Sequence, residues 1–236
     1  MANKLSHNTM QTIGMFTYSF FIHWNTVPYR YPPPFKPPFN KDILLVLQYL
    51  PCYLSLWNFV IQYSFFSVAF FAITSDLLDV SQIVKKRLEY VRVVVFHSAV
   101  VPFGVTTFFF FWTLYAFDRE LIYPESLDQF IPAWINHTLH TLIMVPIILE
   151  FILPKKRHYL PAEIPSIITF ALSIIYVGMV FTVHYYQGVW IYPFLNGMHP
   201  IVHYVFATLF IMGTTGIAQL GAHAQYMRSA SRSRRR

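Results

Sequence analysis

The sequence predicts an all-α, polytopic membrane protein, a bundle of six transmembrane helices with both termini on the cytoplasmic side. Three observations lead there. The chain is 56% hydrophobic and only 11% charged over 236 residues, with a mean hydropathy of +0.45, which is too apolar for a soluble domain. Its apolar runs recur at the roughly 20 residues that cross a hydrocarbon core about 30 Å thick. Its basic residues gather between those runs, mostly on one side of them.

The first apolar run covers residues 10–27 behind Lys4. No small-residue cleavage pattern follows it, so a retained helix is expected over a signal peptide. Pro32, Pro33, Pro34, Pro37 and Pro38 then exclude a helix over 28–40 and predict an extended connector outside the membrane. Residues 42–50 read as a short interfacial helix, and Pro51 suits the first turn of the next element, where its missing N–H costs nothing. The second span covers 52–78. Asp76, Asp79, Lys85, Lys86, Arg87, Glu89 and Arg92 make the loop that follows. The third span is 93–117, and a mainly acidic loop runs over 118–129. A fourth span over 130–153 stops at Pro154 and the basic run Lys155, Lys156 and Arg157. Spans five and six cover 164–184 and 200–222. Residues 1–227 thus form one domain without internal repeats, and the basic tail 228–236 is expected to be disordered.

Charge distribution orients the bundle. Lys4, the second-to-third loop, the cluster after 153 and the tail arginines fall on one face, and Arg30, Lys36, Lys41 and Arg119 on the other. Basic loops stay cytoplasmic, so both ends lie inside and the number of spans is even. Removal of the first helix would leave five spans in the same orientation. Trp24, Tyr29, Tyr31, Trp134, Trp190 and Tyr192 fall near the outer interface, where amphipathic rings prefer to sit. Topology therefore accounts for the formal net charge of +7, and no nucleic acid is expected as a partner; membrane lipids are. Arg232, Arg234, Arg235 and Arg236 fit the same topology, and also suit retention in the endoplasmic reticulum or anionic headgroups. Endoplasmic reticulum and plasma membrane are the two compartments expected. Cys52 is the single cysteine, which excludes an intrachain disulfide and a multi-cysteine metal cage.

Ionisable and strongly polar side chains are costly in lipid, so each needs a partner or a purpose. The fourth span carries Asn136, His137 and His140 in its first three turns. His140 lies on the order of 13 Å below the outer end of that helix at 1.5 Å per residue. Asn136 and His140, four apart, share a face, and His137 and His140, three apart, are neighbours. His184 and His203 fall near the outer ends of the fifth and sixth spans, and Ser55 one turn into the second. The structural alternatives are ordinary ones. A membrane serine commonly bonds back to its own helix, a neutral histidine can rest on an amide or carbonyl, and interfacial histidines are often solvated. Asn136-His137-Thr138 matches a glycosylation acceptor but lies inside a span. Glu150 sits near the inner end of its helix, within reach of headgroups or Lys155.

Four stretches carry a family pattern: residues 54–62 (LSLWNFVIQ), 115–124 (YAFDRELIYP), 130–141 (FIPAWINHTLHT) and 188–195 (GVWIYPFL). In this order and spacing they closely resemble the androgen-induced gene protein and androgen-dependent TFPI-regulating protein family. The likeness runs from the first span through the sixth and fails in the Pro-rich connector and the arginine tail. It implies a six-span membrane hydrolase of fatty acid esters of hydroxy fatty acids, with a threonine nucleophile and a histidine. By position the histidine falls on His140. The nucleophile falls on Ser55, where the family pattern has threonine; serine offers the same hydroxyl with less crowding.

On that resemblance the expected activity is hydrolysis of a lipid ester, with Ser55 as nucleophile and His140 as the base that removes and later returns its proton. Asn136 and His137 are candidates to orient the imidazole, and His184 is a candidate oxyanion donor or substrate contact. The scheme needs no cofactor and no metal, and no H-E-x-x-H pattern is present. Two rival classes stay open: a haem- or metal-holding bundle with His137, His140, His184 and His203 as ligands, and a non-enzymatic membrane regulator or transporter.

Overall fold

The computed structural model describes residues 41–74, 80–152 and 160–233, and among them every regular element is helical. The expected first span at 10–27 and the Pro-rich connector lie outside the described residues. A short helix α1 (Lys41–Gln48) leads through a 3-10 turn, Leu50–Cys52, with Pro51 in its first turn, into α2 (Leu54–Thr74).

Next comes α3 (Gln82–Val95), started by Ser81, whose hydroxyl accepts from the Val84 amide. A π-helical turn, Phe96–Val100, joins α3 to α4 (Val101–Phe117). The expected loop over 79–92 is thus largely helix, and the third span begins eleven residues earlier than its apolar run. Lys85, Lys86, Arg87 and Glu89 were read as loop because they are charged. They are also good helix formers, and no Gly or Pro interrupts them. The π turn has a local cause. Pro102 has no N–H to offer the Ser98 carbonyl four residues back, and that carbonyl accepts instead from Thr169 Oγ1 at 2.6 Å.

The stretch expected as the fourth span is broken. It forms α5 (Ala133–His140) and α6 (Met144–Ile152), with an irregular turn between them, where one continuous helix over 130–153 was expected. Pro146 is the physical reason: it lacks the N–H for the Leu142 carbonyl and its ring crowds that position. Leu142 O is bonded by the Val145 amide at 3.1 Å instead, a tighter turn. Helix α7 (Glu163–Gln187) ends at Gly188, whose φ of 69° gives a left-handed cap. Helix α8 (Pro200–Ser233) runs past the expected end at 222 and into the tail read as disordered. Residues 222–233 contain neither Gly nor Pro, and nothing in them stops a helix.

Among the described residues, three helical stretches, Gln82–Phe117, Glu163–Gln187 and Pro200–Met227, are long and apolar enough to cross a membrane. Ile167 and Ile175 on α7, and Leu209, Met212 and Leu220 on α8, face outward, an arrangement that lipid, not water, accommodates. The core lies between α2, α4 and their neighbours. Phe65 meets Phe96 at 5.4 Å between ring centroids. A Cβ on Gly104 would lie 2.5 Å from Ile147 Cδ1 and 3.4 Å from both Asn58 Oδ1 and Gln62 Nε2, so glycine is what lets α4 approach α2 and α6 there. Gln62 Nε2 in turn bonds the Ile143 carbonyl at 3.3 Å, tying α2 to the break between α5 and α6.

Candidate active site

A cavity of about 160 Å³ opens among the start of α2, the end of α4, α5, α7 and α8. Its wall is mainly apolar, with Leu45, Val46, Phe110, Ile122, Leu127 and Phe206 contributing. Helix α1 packs against the 3-10 turn Glu125–Gln129, and Ser126 Oγ donates to Asp42 Oδ2 at 2.7 Å. Ser55, Asn136, His140 and His203 all line this cavity. The structure thus brings the expected nucleophile position and the expected base position to one space.

Helix α2 delivers Ser55 there because its first turn is tied from outside. The Leu54 amide, one of those a helix start leaves without an internal partner, donates to the Tyr192 hydroxyl at 2.9 Å. Tyr53 OH donates to the Ile191 carbonyl at 3.0 Å. The Tyr192 hydroxyl also bonds Tyr176 OH from α7. Burial pushes the Tyr192 phenol up to about 12, so it remains protonated at physiological pH.

His140 is the last residue of α5, at the break. Its ring lies flat on Phe111, centroid to centroid 3.6 Å and 11° from parallel. Nδ1 is 2.7 Å from Asn136 Oδ1 and 3.0 Å from the Asn136 backbone oxygen. A backbone oxygen only accepts, so Nδ1 carries the hydrogen and Nε2 keeps the lone pair. Among the described residues nothing bonds Nε2.

The other two expected contributors lie elsewhere. His137 is exposed, pairs its Nδ1 with Thr141 Oγ1 at 3.1 Å and stacks on Trp112. It is absent from the cavity wall. His184 lies flat on Trp190 at 3.8 Å; Trp190 lines the cavity and His184 does not, because the indole stands between. His203 donates from Nε2 to the Leu195 carbonyl at 2.9 Å. The four histidines of the haem or metal reading therefore do not converge, and among the described residues no group of three or more His, Cys, Asp or Glu could hold a metal ion.

Two contributors were not anticipated. Tyr192 had been read as an interfacial ring, and its hydroxyl caps α2. Thr107 lines the cavity, is buried, and has no partner for Oγ1 among the described residues. A hydroxyl inside an apolar run was the only sequence signal for it.

The FAR-17a/AIG1-like protein family model matches residues 51–225, a stretch that includes every cavity residue named above except those of α1. Among curated proteins, the androgen-dependent TFPI-regulating protein of Mesocricetus auratus is 34% identical over 152 residues, 63% of this chain and 64% of that protein. The androgen-induced gene 1 protein of Homo sapiens is 34% identical over 163 residues, 65% of this chain and 67% of that protein. The androgen-dependent TFPI-regulating protein of Mus musculus is 31% identical over 172 residues, 72% and 73% of the two chains. The matches thus span about two thirds of these relatives' length. No solved structure matches the chain. With three membrane-length apolar helices and this extent of agreement, the chain is an integral membrane protein and belongs to the FAR-17a/AIG1-like protein family.

Proposed function

We propose that the protein is an intramembrane hydrolase of lipid esters, of the class of fatty acid esters of hydroxy fatty acids, with Ser55 as nucleophile and His140 as base. One observation carries the reading: Ser55 and His140 line the same apolar cavity, and Asn136 holds the Nδ1–H of His140 so that Nε2 is the basic nitrogen. Ser55 Oγ attacks the ester carbonyl carbon and His140 Nε2 takes its proton. The imidazolium returns that proton to the departing hydroxy fatty acid oxygen, leaving the fatty acyl group on Ser55. Water then attacks the acyl carbon, gives its proton to Nε2, and the fatty acid leaves as Ser55 Oγ is reprotonated.

Lipid chains suit the apolar wall, and Asn136 fills the orienting place of a triad. The same proposal includes six crossings, with residues 10–27 as the first, and both ends on the cytoplasmic side. That topology puts the cavity in the outer half of the membrane, in the endoplasmic reticulum or the plasma membrane.

The test is hydrolysis of a branched fatty ester by purified protein, with labelling by a fluorophosphonate probe. Ser55→Ala and His140→Ala are expected to lose both, and Ser55→Thr to keep both. Full activity in Ser55→Ala removes the proposal.

A further inference from the structure

We infer that Thr107 supplies the hydroxyl that holds the ester carbonyl oxygen as it gains charge, an oxyanion donor for the reaction at Ser55; this rests on the hydrolase reading above. Thr107 is 4% exposed and lines the cavity, and its Oγ1 has no hydrogen-bond partner among the described residues. Thr169, Thr182, Thr208 and Thr215 each donate to the carbonyl four residues back, the usual resting place of a helical threonine. Thr107 does not. Its neighbour Thr106 is also without a partner but is absent from the cavity wall. A buried hydroxyl left unpaired is unfavourable unless something absent from the resting protein completes it.

The helix register puts that hydroxyl at the level of the nucleophile. Two contacts, Phe65 with Phe96 and Asn58–Gln62 with Gly104, show that α2 runs antiparallel to the α3–α4 helix. Moving one turn along α4 from Gly104 to Thr107 moves one turn back along α2, from Asn58 and Gln62 to the level of Ser55 and Asn58. Four residues further, on the same face of α4, Phe111 carries the His140 ring. Thr107 therefore occupies the step of α4 between the residue that faces the interior of α2 and the residue that seats the base. The wall it shares with Ser55 is apolar, which strengthens a single hydrogen bond to a developing oxyanion. During attack, the carbonyl π electrons move to the oxygen, and the Thr107 O–H donates to it without transferring its proton.

Full-length protein in detergent tests this with Thr107→Val, which keeps shape and removes the donor. The readouts are kcat and KM for a branched fatty ester, the rate of fluorophosphonate labelling, and the thermal unfolding midpoint. The expectation is a fall in kcat of about 10²- to 10³-fold, slower labelling, little change in KM, and an unfolding midpoint no lower than wild type. Thr107→Ser is expected to recover most of the activity. Should Thr107→Val fail to fold, Thr107→Ala gives the same kinetic comparison. Wild-type kcat in Thr107→Val beside an inactive Ser55→Ala overturns the inference and leaves the hydrolase reading intact. Activity in Ser55→Ala overturns that reading instead. A probe adduct mapped to Thr107 overturns both assignments, by making Thr107 the nucleophile.

Discussion

The two ends of the bundle treat buried polar groups in opposite ways. Where α3 and α6 both end, Arg92, 4% exposed, donates to Glu150 at 2.9 Å and to Glu89 at 3.0 Å. One turn further along the same helix, His97 bonds Gln225 of α8. Charges here are matched within α3 and across to α6. At the other end, Thr107 Oγ1 is buried beside a cavity without a partner among the described residues, and His140, which lines the same cavity, bonds Asn136 through Nδ1 alone. The first end uses polarity to hold helices together. The second leaves a hydroxyl unpaired on a cavity wall, which is what the proposed ligand site requires.

The largest effect on folding is expected at the paired end. Arg92→Ala removes the guanidinium shared by Glu89 and Glu150, whose side chains are only 28% and 12% exposed. Such a break costs about 3–5 kcal/mol, so the unfolding midpoint in detergent should drop steeply while hydrolysis per folded molecule stays near wild type. A variant that keeps its midpoint but loses turnover would dissolve the distinction between the two ends.

At the open end the order reverses. Asn136→Ala removes one of the two oxygens that hold His140 Nδ1–H, while the Asn136 backbone oxygen at 3.0 Å survives the substitution. The ring keeps its tautomer and loses part of its aim. Turnover is expected to fall about 10- to 100-fold, the scale on which oxygens that orient a functional imidazole act, with a smaller shift in unfolding midpoint than Arg92→Ala produces. Steady-state kinetics paired with thermal unfolding separates the two variants; equal turnover in Asn136→Ala and wild type would leave the imidazole oriented by the Phe111 stack and the backbone alone.

How much of this was legible in the sequence differs by region for physical reasons. The stretch expected as the fifth span, 164–184, is a long apolar run with a glycine stop, and it forms the helix Glu163–Gln187. The start of α8 at Pro200 was equally plain. Ser55, Asn136 and His140 are singled out by depth, four-residue spacing and family resemblance, all properties of a single chain segment, and the structure lines one cavity with them. The break after His140 was missed because hydropathy does not register the N–H that Pro146 lacks. The early start of α3 was missed because charge was read as loop. His137 is placed with His140 by three-residue spacing, and His184 by depth. Their rings are instead taken by Trp112 and Trp190, and such pairings depend on which residues of other elements face them. Thr107 is the hardest case: its meaning comes entirely from register against α2.

The smallest effect is expected at Tyr192, which joins the fold to the site. Its hydroxyl accepts the Leu54 amide next to Ser55, so Tyr192→Phe removes a helix cap supplied from another loop. Caps of this kind are worth about 1 kcal/mol, and a loosened first turn should lower turnover only severalfold. The phenol adds a pH signature. Burial raises it from 10.0 to about 12, so the folded state favours the neutral form more than the unfolded chain does. The stability this gives is complete below pH 10 and is lost as pH climbs toward 12. Unfolding midpoints of wild type and Tyr192→Phe should therefore differ most below pH 10 and draw together above it. Midpoints that run parallel across that range would mean that Leu54 and Ser55 are held in place by packing, and that the Tyr192 hydroxyl contributes nothing to positioning the nucleophile.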